Sequence, residues 1–504
     1  MRPLFRLLLL AGVASLAGPA GADTLRDALL RAYQTNPTIT GARAAQRATD
    51  ETVPIARAAG LPSLSSSGGY TENVLSSSNS FASPAREANA STNLVVPLYR
   101  GGAVRGSVRA AETRVAAGQA SLRSTEATLF TNVVAAYLDV IRDEAIVALN
   151  QQNVRVLEVN LRASRDRFQV GDLTRTDVAQ SEARLSIARS QLQSAEAQLI
   201  SSREFYIRIV GTEPGVLDEP PPLPNLPVTT EVAVQTALAD NPALIAAARQ
   251  RDATRYDVTV ARSARLPQVS AVAGGNYYNY LGSLGAGTST SVGQSGTAAT
   301  LGLSLSLPLF QGGRPAAQVR RAEALQGQAT EAVTETERAV VAQARSSFAV
   351  YRSSVEVIQS SEQAVAANRL SLEGVRAENS VGTRTILDIL NAEQELLNSQ
   401  VTLVSARRDA YVAGFSLLAA MGRAEARDLG LDGGPLYDPF ANYNRVRHRI
   451  SDFGSDGEPA PVATRTADTP PQTAVVRRPL DPALDTPVDT NRPLTTGSAA
   501  PSRH

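Results

Sequence analysis

Leu301, Leu303, Leu305 and Leu307 alternate strictly with small or polar residues, and Ala90, Thr92, Leu94 and Val96 alternate in the same way earlier in the chain. A period of two puts successive side chains on opposite faces of a strand, so each run predicts a strand with one apolar and one small, polar face. Such strands suit a lipid-facing barrel, and they suit the edge of a soluble sheet as well. Each run passes directly into a turn, Pro97-Leu98-Tyr99-Arg100-Gly101-Gly102 in one case and Pro308-Leu309-Phe310-Gln311-Gly312-Gly313 in the other. Proline fixes φ and the glycine pair permits a sharp change of direction into a helix, which tilts the choice toward the barrel. Beyond these turns the period changes. No proline occurs between Gly102 and Pro214 or between Pro315 and Pro435. Val147, Val154, Leu161 and Phe168 recur every seven residues with Leu157 between, and Val178, Leu185, Leu192 and Leu199 do so with Ala188 and Ala195 interleaved. Ile389, Leu396 and Leu403 with Ala392, Ser399 and Ala406 repeat the scheme. Large residues facing small ones let antiparallel helices approach closely, so both windows predict long helical hairpins. A helix over 103–169 would run roughly 100 Å, and its return over 174–210 roughly 55 Å.

The chain is an internal duplication. Asn36-Pro37 recurs as Asn241-Pro242, and Ala56-Arg57 through Leu61-Pro62 recurs as Ala261-Arg262 through Leu266-Pro267, an offset of 205. From Pro97 onward the offset is 211, carrying Val170-Gly171 onto Val381-Gly382 and Asp177, Glu182, Leu185, Leu192 and Gly211 onto Asp388, Glu393, Leu396, Leu403 and Gly422. The change of six lies between Leu61 and Pro97, where a surface loop absorbs it. The expected organisation is a signal peptide over 1–22, a first repeat over 23–211 and a second over 231–422. Each repeat has a helical segment, a strand hairpin (about 61–98 or 266–309) and a long helical hairpin (103–210 or 315–421). The helical segments 24–58 and 231–264 contain Pro37, Pro54 and Pro242, each marking a start, break or kink. A Pro-rich linker or equatorial segment occupies 212–230, a C-terminal equatorial segment 423–443, and a Pro-rich tail without apolar periodicity, expected to be disordered, 444–504.

Composition narrows the chemistry. Arg2 and Arg6 precede an apolar run from Leu7 to Leu16 and the small-residue site Ala20-Gly21-Ala22, which reads as an export signal with the mature chain starting at Asp23. There is no cysteine, which excludes disulfides, thiolate chemistry and a lipidated anchor. All 49 Lys-plus-Arg positions are Arg, so neither a phosphate-binding loop with its lysine nor a Schiff base is available. The two histidines, His448 and His504, lie beyond the repeats. A hydrolase triad or a His-ligated metal site in the repeats is excluded by this inventory, and the carboxylate pairs that remain stand in no recognisable acid and base setting, so no enzyme, metal or cofactor is expected; a net charge of +1 gives no case for nucleic acid. Gly282 to Gly287 loosely resembles a phosphate loop but sits in a Ser/Gly-rich hairpin region with no following helix, and reads as a flexible external loop.

Two hairpins give four strands, and a lipid-exposed sheet cannot leave its edges open, because hydrocarbon offers no partner to free backbone groups. Copies must therefore combine; two, three or four would all close a barrel. A pore-less periplasmic coiled-coil protein is the alternative class, and it leaves the strands and export signal unexplained.

In repeat order, in the paired Asn-Pro, in both Pro-Leu-aromatic-x-Gly-Gly turns and in Val381-Gly382-Thr383-Arg384-Thr385-Ile386-Leu387-Asp388-Ile389-Leu390, the region from Asp23 to Tyr443 resembles the TolC family of outer-membrane efflux and type I secretion proteins. Tyr437-Asp438-Pro439 followed by Ala441-Asn442-Tyr443 resembles the type I secretion subgroup. The resemblance implies an α+β membrane protein, a homotrimer with a twelve-stranded β-barrel continuous with a periplasmic α-helical tunnel. It also implies an outer-membrane location, a periplasmic adaptor (membrane fusion) protein, an inner-membrane transporter or secretion ATPase as partner, and a passive conduit gated at its periplasmic tip. By the same resemblance Arg384 bonds to Thr176 and Asp177 of a neighbouring subunit as a latch, and Asp388 lines a selectivity ring. Two positions depart from the family pattern: a second ring carboxylate is Asn391, and a latch tyrosine is Asn379. The duplication is also imperfect at the gate, since Asp172 to Arg175 stand where the second repeat has Thr383 to Ile386.

Overall fold

The computed structural model describes residues 23–75, 84–283, 293–431 and 436–485. The expected signal peptide and most of the Gly282–Gly287 loop lie outside the described residues. The chain opens with three short helices, α1 (Leu25–Thr35), α2 (Pro37–Asp50) and α3 (Thr52–Ala58), followed by strands β1 (Ser63–Glu72) and β2 (Arg86–Arg100). Two helices of the first hairpin come next, α4 (Ala103–Gln169) and α5 (Arg175–Val210). The second half repeats the order with α6 (Thr230–Asp240), α7 (Pro242–Ser263), β3 (Gln268–Asn279), β4 (Ser295–Ser306), α8 (Arg314–Ser380) and α9 (Ile386–Ala420), before a final short α10 (Pro439–Val446). Both α4 and α8 are 67 residues long.

The four strands form one antiparallel sheet in the order β1-β2-β3-β4. Register carries the alternation of single strands into rows across the sheet. Leu64, Leu94, Ala273 and Leu301 stand opposite one another, and Val96, Ala271 and Leu303 form the next row of the same face. The other face is more mixed: the row of Ser65, Asn93, Gly274 and Thr300 is small and polar, while the row between the two apolar ones is Ser63, Val95, Val272 and Gly302. A slip of one residue would mix the faces, so register and pattern specify each other. Leu301 and Leu303 are 87% and 75% exposed, so among the described residues nothing covers this end of the apolar face. Among the described residues β1 and β4 each pair on one side only.

The double-glycine turns join sheet to helix in the same way twice. Gly101 and Gly102 have φ of +58° and +83°, and Gly312 and Gly313 have +57° and +80°. These left-handed values are strained for other residues. A Cβ at Gly101 would also lie 2.7 Å from Leu266 Cβ, so the turn is closed to side chains on steric grounds too.

The repeated Asn-Pro is a clamp. Each proline starts a helix, and Asn36 Oδ1 accepts from Thr38 N–H while its amide donates to the carbonyl of Ile209 at 2.7 Å. Asn241 does the same, accepting from Ala243 N–H and donating to the Ala420 carbonyl at 2.8 Å. One side chain thus satisfies an orphan N–H at a helix start and an orphan C=O at the end of a return helix. This ties the short helices to α5 in one half and to α9 in the other.

Two large regions of core result, with three smaller clusters beside them among the described residues. The equatorial cluster centres on Phe130, Val133, Tyr137, Tyr206 and Phe415. Leu217 from the proline-rich linker is buried in it, and Tyr137 Oη donates to the carbonyls of Asp23 and Asp218. Arg43 lies over both the Tyr33 and Tyr437 rings, while Asn442 donates to Asp50 at 2.8 Å, so the Tyr-Asp-Pro and Ala-Asn-Tyr segments fasten α10 to α2. The second cluster fills the seam between the two hairpins, with Leu149, Leu157 and Leu161 of α4 against Leu185 of α5 and Ile389, Leu396 and Leu403 of α9. Phe168 falls outside this seam and is exposed, because the heptad reaches it where the helices part at the turn.

Residues 486–504 of the expected tail lie outside the described residues. Residues 447–485 form no helix or strand, yet they are laid against the helical body, with Leu484 buried in the hairpin seam at 2% exposure. The contacts run largely from side chains on helices to main-chain carbonyls of the tail, which explains why the tail itself shows no apolar period.

Candidate functional site at the helical tip

Both hairpin turns are built alike. Gly171 and Gly382 take φ of +87° and +83° after α4 and α8, and Thr174 and Thr385 then cap α5 and α9. Thr385 N–H and Oγ1 both donate to Asp388 Oδ2, at 2.9 and 2.8 Å, and Asp388 N–H donates back to Thr385 Oγ1. Thr174 and Asp177 form the same reciprocal box, with Asp177 Oδ2 accepting at 2.9 and 2.7 Å. Asp177 and Asp388 therefore hold structural posts at helix N-termini, where a carboxylate also meets the positive end of the dipole. The Thr385 backbone N–H, then its hydroxyl, hold the Asp388 carboxyl below the usual carboxylate range.

Arg384 is exposed at the second tip and donates from Nε to Glu378 Oε2 at 2.7 Å, within its own turn. Asn379 is buried and its amide donates to the Arg384 carbonyl at 2.7 Å, which fixes the backbone that presents Arg384. Thr176 is exposed on the first hairpin beside the capped Asp177. Asn391 accepts from Arg184 of α5 at 2.7 Å, so this position links the two hairpins of one chain. The residues expected at the gate all lie at this end, but within one chain Arg384 meets Glu378 rather than the Thr176–Asp177 pair.

One cluster near the tip escaped the sequence reading. Glu393 of α9 is buried, receives both an amide from Asn160 of α4 (3.1 and 3.0 Å) and the Arg376 guanidinium of α8 (3.1 Å), and joins three helices. Burial pushes its carboxyl above the ordinary value, against the pull of Arg376. The signal was present: Arg165 and Glu182 sit 211 positions before Arg376 and Glu393, and they too pair, at 2.6 Å. Only the burial was invisible.

A lipid-ready sheet joined by glycine turns to helical hairpins roughly 100 Å long defines an outer-membrane channel protein. The sequence profile of the family described as outer membrane efflux protein matches residues 28–212 and 233–423, and the chain belongs to that family, the TolC-like channels of the outer membrane. It is 33% identical over 442 residues to the outer membrane efflux protein BepC of Brucella suis, covering 88% of this chain and 94% of that one. It is 27% identical over 494 residues to the outer membrane protein TolC of Escherichia coli, covering 93% and 97%. The crystal structure of VceC from Vibrio cholerae has the same fold, with a TM-score of 0.67 at 22% identity over 79% of this chain and 96% of that one. The protein is accordingly an outer-membrane channel component of an export system.

Proposed function

We propose that three copies assemble, their sheets closing one barrel of twelve strands and their hairpins one helical tunnel, to form a passive conduit from periplasm to exterior. The observation that carries this reading is the four-stranded sheet with a continuous exposed apolar face and two one-sided edges. Edge pairing between copies would satisfy every backbone group in hydrocarbon. Energy comes from an inner-membrane transporter or secretion ATPase, reached through a periplasmic adaptor that docks on the hairpins. Cargo is either small molecules, as the efflux names of its relatives suggest, or protein.

In the closed trimer Arg384 leaves Glu378 for Thr176 and Asp177 of the neighbouring subunit, and three copies of Asp388 line the narrowest ring, with Asn391 replacing a second set of acids. An arginine fork on a hydroxyl and a carboxylate is directional, which suits a latch. Three acids at a constriction favour cations. Single-channel recording of the purified protein in planar bilayers tests both levels. Arg384→Ala is expected to raise closed-state conductance several-fold, and Asp388→Asn to lower cation preference. Absence of any channel from the wild-type protein would overturn the conduit, whereas an unchanged closed state in Arg384→Ala would overturn only the latch.

A further inference from the structure

The described part of the tail binds the helical body at two stations. At the equatorial end of α5, fully buried Arg203 pairs with Glu144 of α4 and donates to the carbonyls of Thr473 and Val475, while Glu204 accepts from Gln472 N–H at 3.1 Å. Arg477 donates to the Pro214 carbonyl and Arg478 pairs with Glu219. Farther toward the tip, Asp481 accepts from Arg407 of α9 at 2.9 Å, and Leu484 is buried in the seam. There Gln400 of α9 donates to the Leu484 carbonyl at 2.7 Å, Arg369 of α8 to the Ala483 carbonyl at 2.6 Å, and Gln152 of α4 to Asp485 at 3.0 Å. One irregular segment, closing in a turn where the Leu484 and Asp485 N–H groups donate to the Asp481 carbonyl, thus touches both hairpins, and it lies outside the residues that the family profile matches.

The geometry points to residues 470–485 as a built-in peptide ligand, a strap that fills the groove between the two helical hairpins and fastens one to the other. The groove has the features of a peptide site: long donors aimed at main-chain carbonyls give affinity without reading side chains, and strap side chains supply the specificity. In the groove these are the acid Asp481, three residues on the apolar anchor Leu484, and Asp485 on Gln152. The strap must peel away before the hairpins separate, or before an extended segment of another protein with the same acid-then-anchor spacing enters the groove. The occupant of the resting state is the chain's own tail. This rests on the hairpin geometry and not on the conduit reading.

Hydrogen exchange read by mass spectrometry on the full chain tests it. Asp481→Arg combined with Leu484→Asp is expected to speed exchange in peptides covering 365–376 and 396–407 by about tenfold or more, through local opening. Peptides from the sheet should not change. Leu484→Ala should give a smaller rise in the same peptides, and Asp456→Ala, which breaks tail bonds to Arg445 and Arg449 away from the groove, should give none. Adding a synthetic peptide of residues 470–485 to the double variant should restore protection. Unchanged exchange in the groove, a uniform rise that includes the strands, or failure of the peptide to protect would each overturn the strap. Channel formation is measured separately, so a silent channel would leave the exchange result standing.

Discussion

The two helical hairpins descend from one repeat and have nearly the same dimensions, yet they occupy different environments. The helix α4 is buried at intervals along its whole length, packed by α5, α7, α9 and the short helices, whereas α8 is largely bare between its contacts with α6, α7 and α9. The same contrast recurs one residue pair at a time. Arg165 and Glu182 form an exposed pair on the first hairpin; their counterparts Arg376 and Glu393 are drawn into the seam because Asn160 of α4 faces Glu393. Arg203 and Glu144 form a fully buried pair in the first half, where the second half has Gly414 and Val355 at the corresponding positions. Duplication copies a helix; its neighbours decide which face becomes core.

The sharpest way to break this comparison is to remove one member of the buried pair. Glu144→Ala leaves Arg203 buried without its carboxylate and is expected to destabilise by about 3–5 kcal/mol, whereas Val355→Ala should change stability by about 1 kcal/mol or less. Denaturant midpoints followed by circular dichroism check this, and equal losses would erase the asymmetry. Next in size, Asn160→Ala strips a buried carboxylate of its amide and should cost about 1.5–3 kcal/mol, against about 0–1 kcal/mol for Glu182→Ala on the exposed pair.

The pH dependence sharpens the same contrast. Burial raises the Glu393 carboxyl above its ordinary value near 4.5, so the folded state holds a proton that the unfolded state has lost. Stability therefore falls as pH rises from about 4.5 through the raised value and is flat above it. Glu393→Gln should lessen this fall, to which Glu126 and Glu425, also raised by burial, contribute, and Glu182→Gln should leave it in place; thermal midpoints between about pH 4.5 and 8 read both. The smallest effect is a predicted equality. Thr174→Ala and Thr385→Ala each remove the cap of a return helix, and each should cost about 1 kcal/mol, with local fraying visible by hydrogen exchange. Clearly different losses would mean that the two tips are not built alike.

Much of this was legible in the chain. Period two gave β2 and β4, and the double glycines gave the turns whose left-handed φ values the structure contains. The Asn-Pro repeat marked a helix start, although its second hydrogen bond to Ile209 or Ala420 could not be read from local sequence. Of the residues expected at the gate from the family resemblance, Asp177 and Asp388 are also related by the repeat, whereas the capping bonds they make to Thr174 and Thr385 are visible only in the structure. Glu378, which holds Arg384 in the single chain, carries no repeat signal, since position 167 in the first half is an arginine.

The described part of the tail carries no apolar period for a physical reason. Amphipathic period reports which face of a regular element is buried, and an irregular segment held in large part through its own carbonyls has no such face to report. Its ligands, Arg203, Arg369, Gln400 and Arg407, are scattered over three helices and become a site only when those helices are laid side by side. The sequence by itself determined the elements, the duplication and the need for the sheet to find further strands, because these follow from local periodicity and backbone chemistry. Only the tertiary structure decided which of two equivalent acids is buried, which partner Arg384 takes within the chain, and that a proline-rich tail binds the groove between the hairpins. Each of those depends on what a neighbouring helix brings within hydrogen-bonding distance.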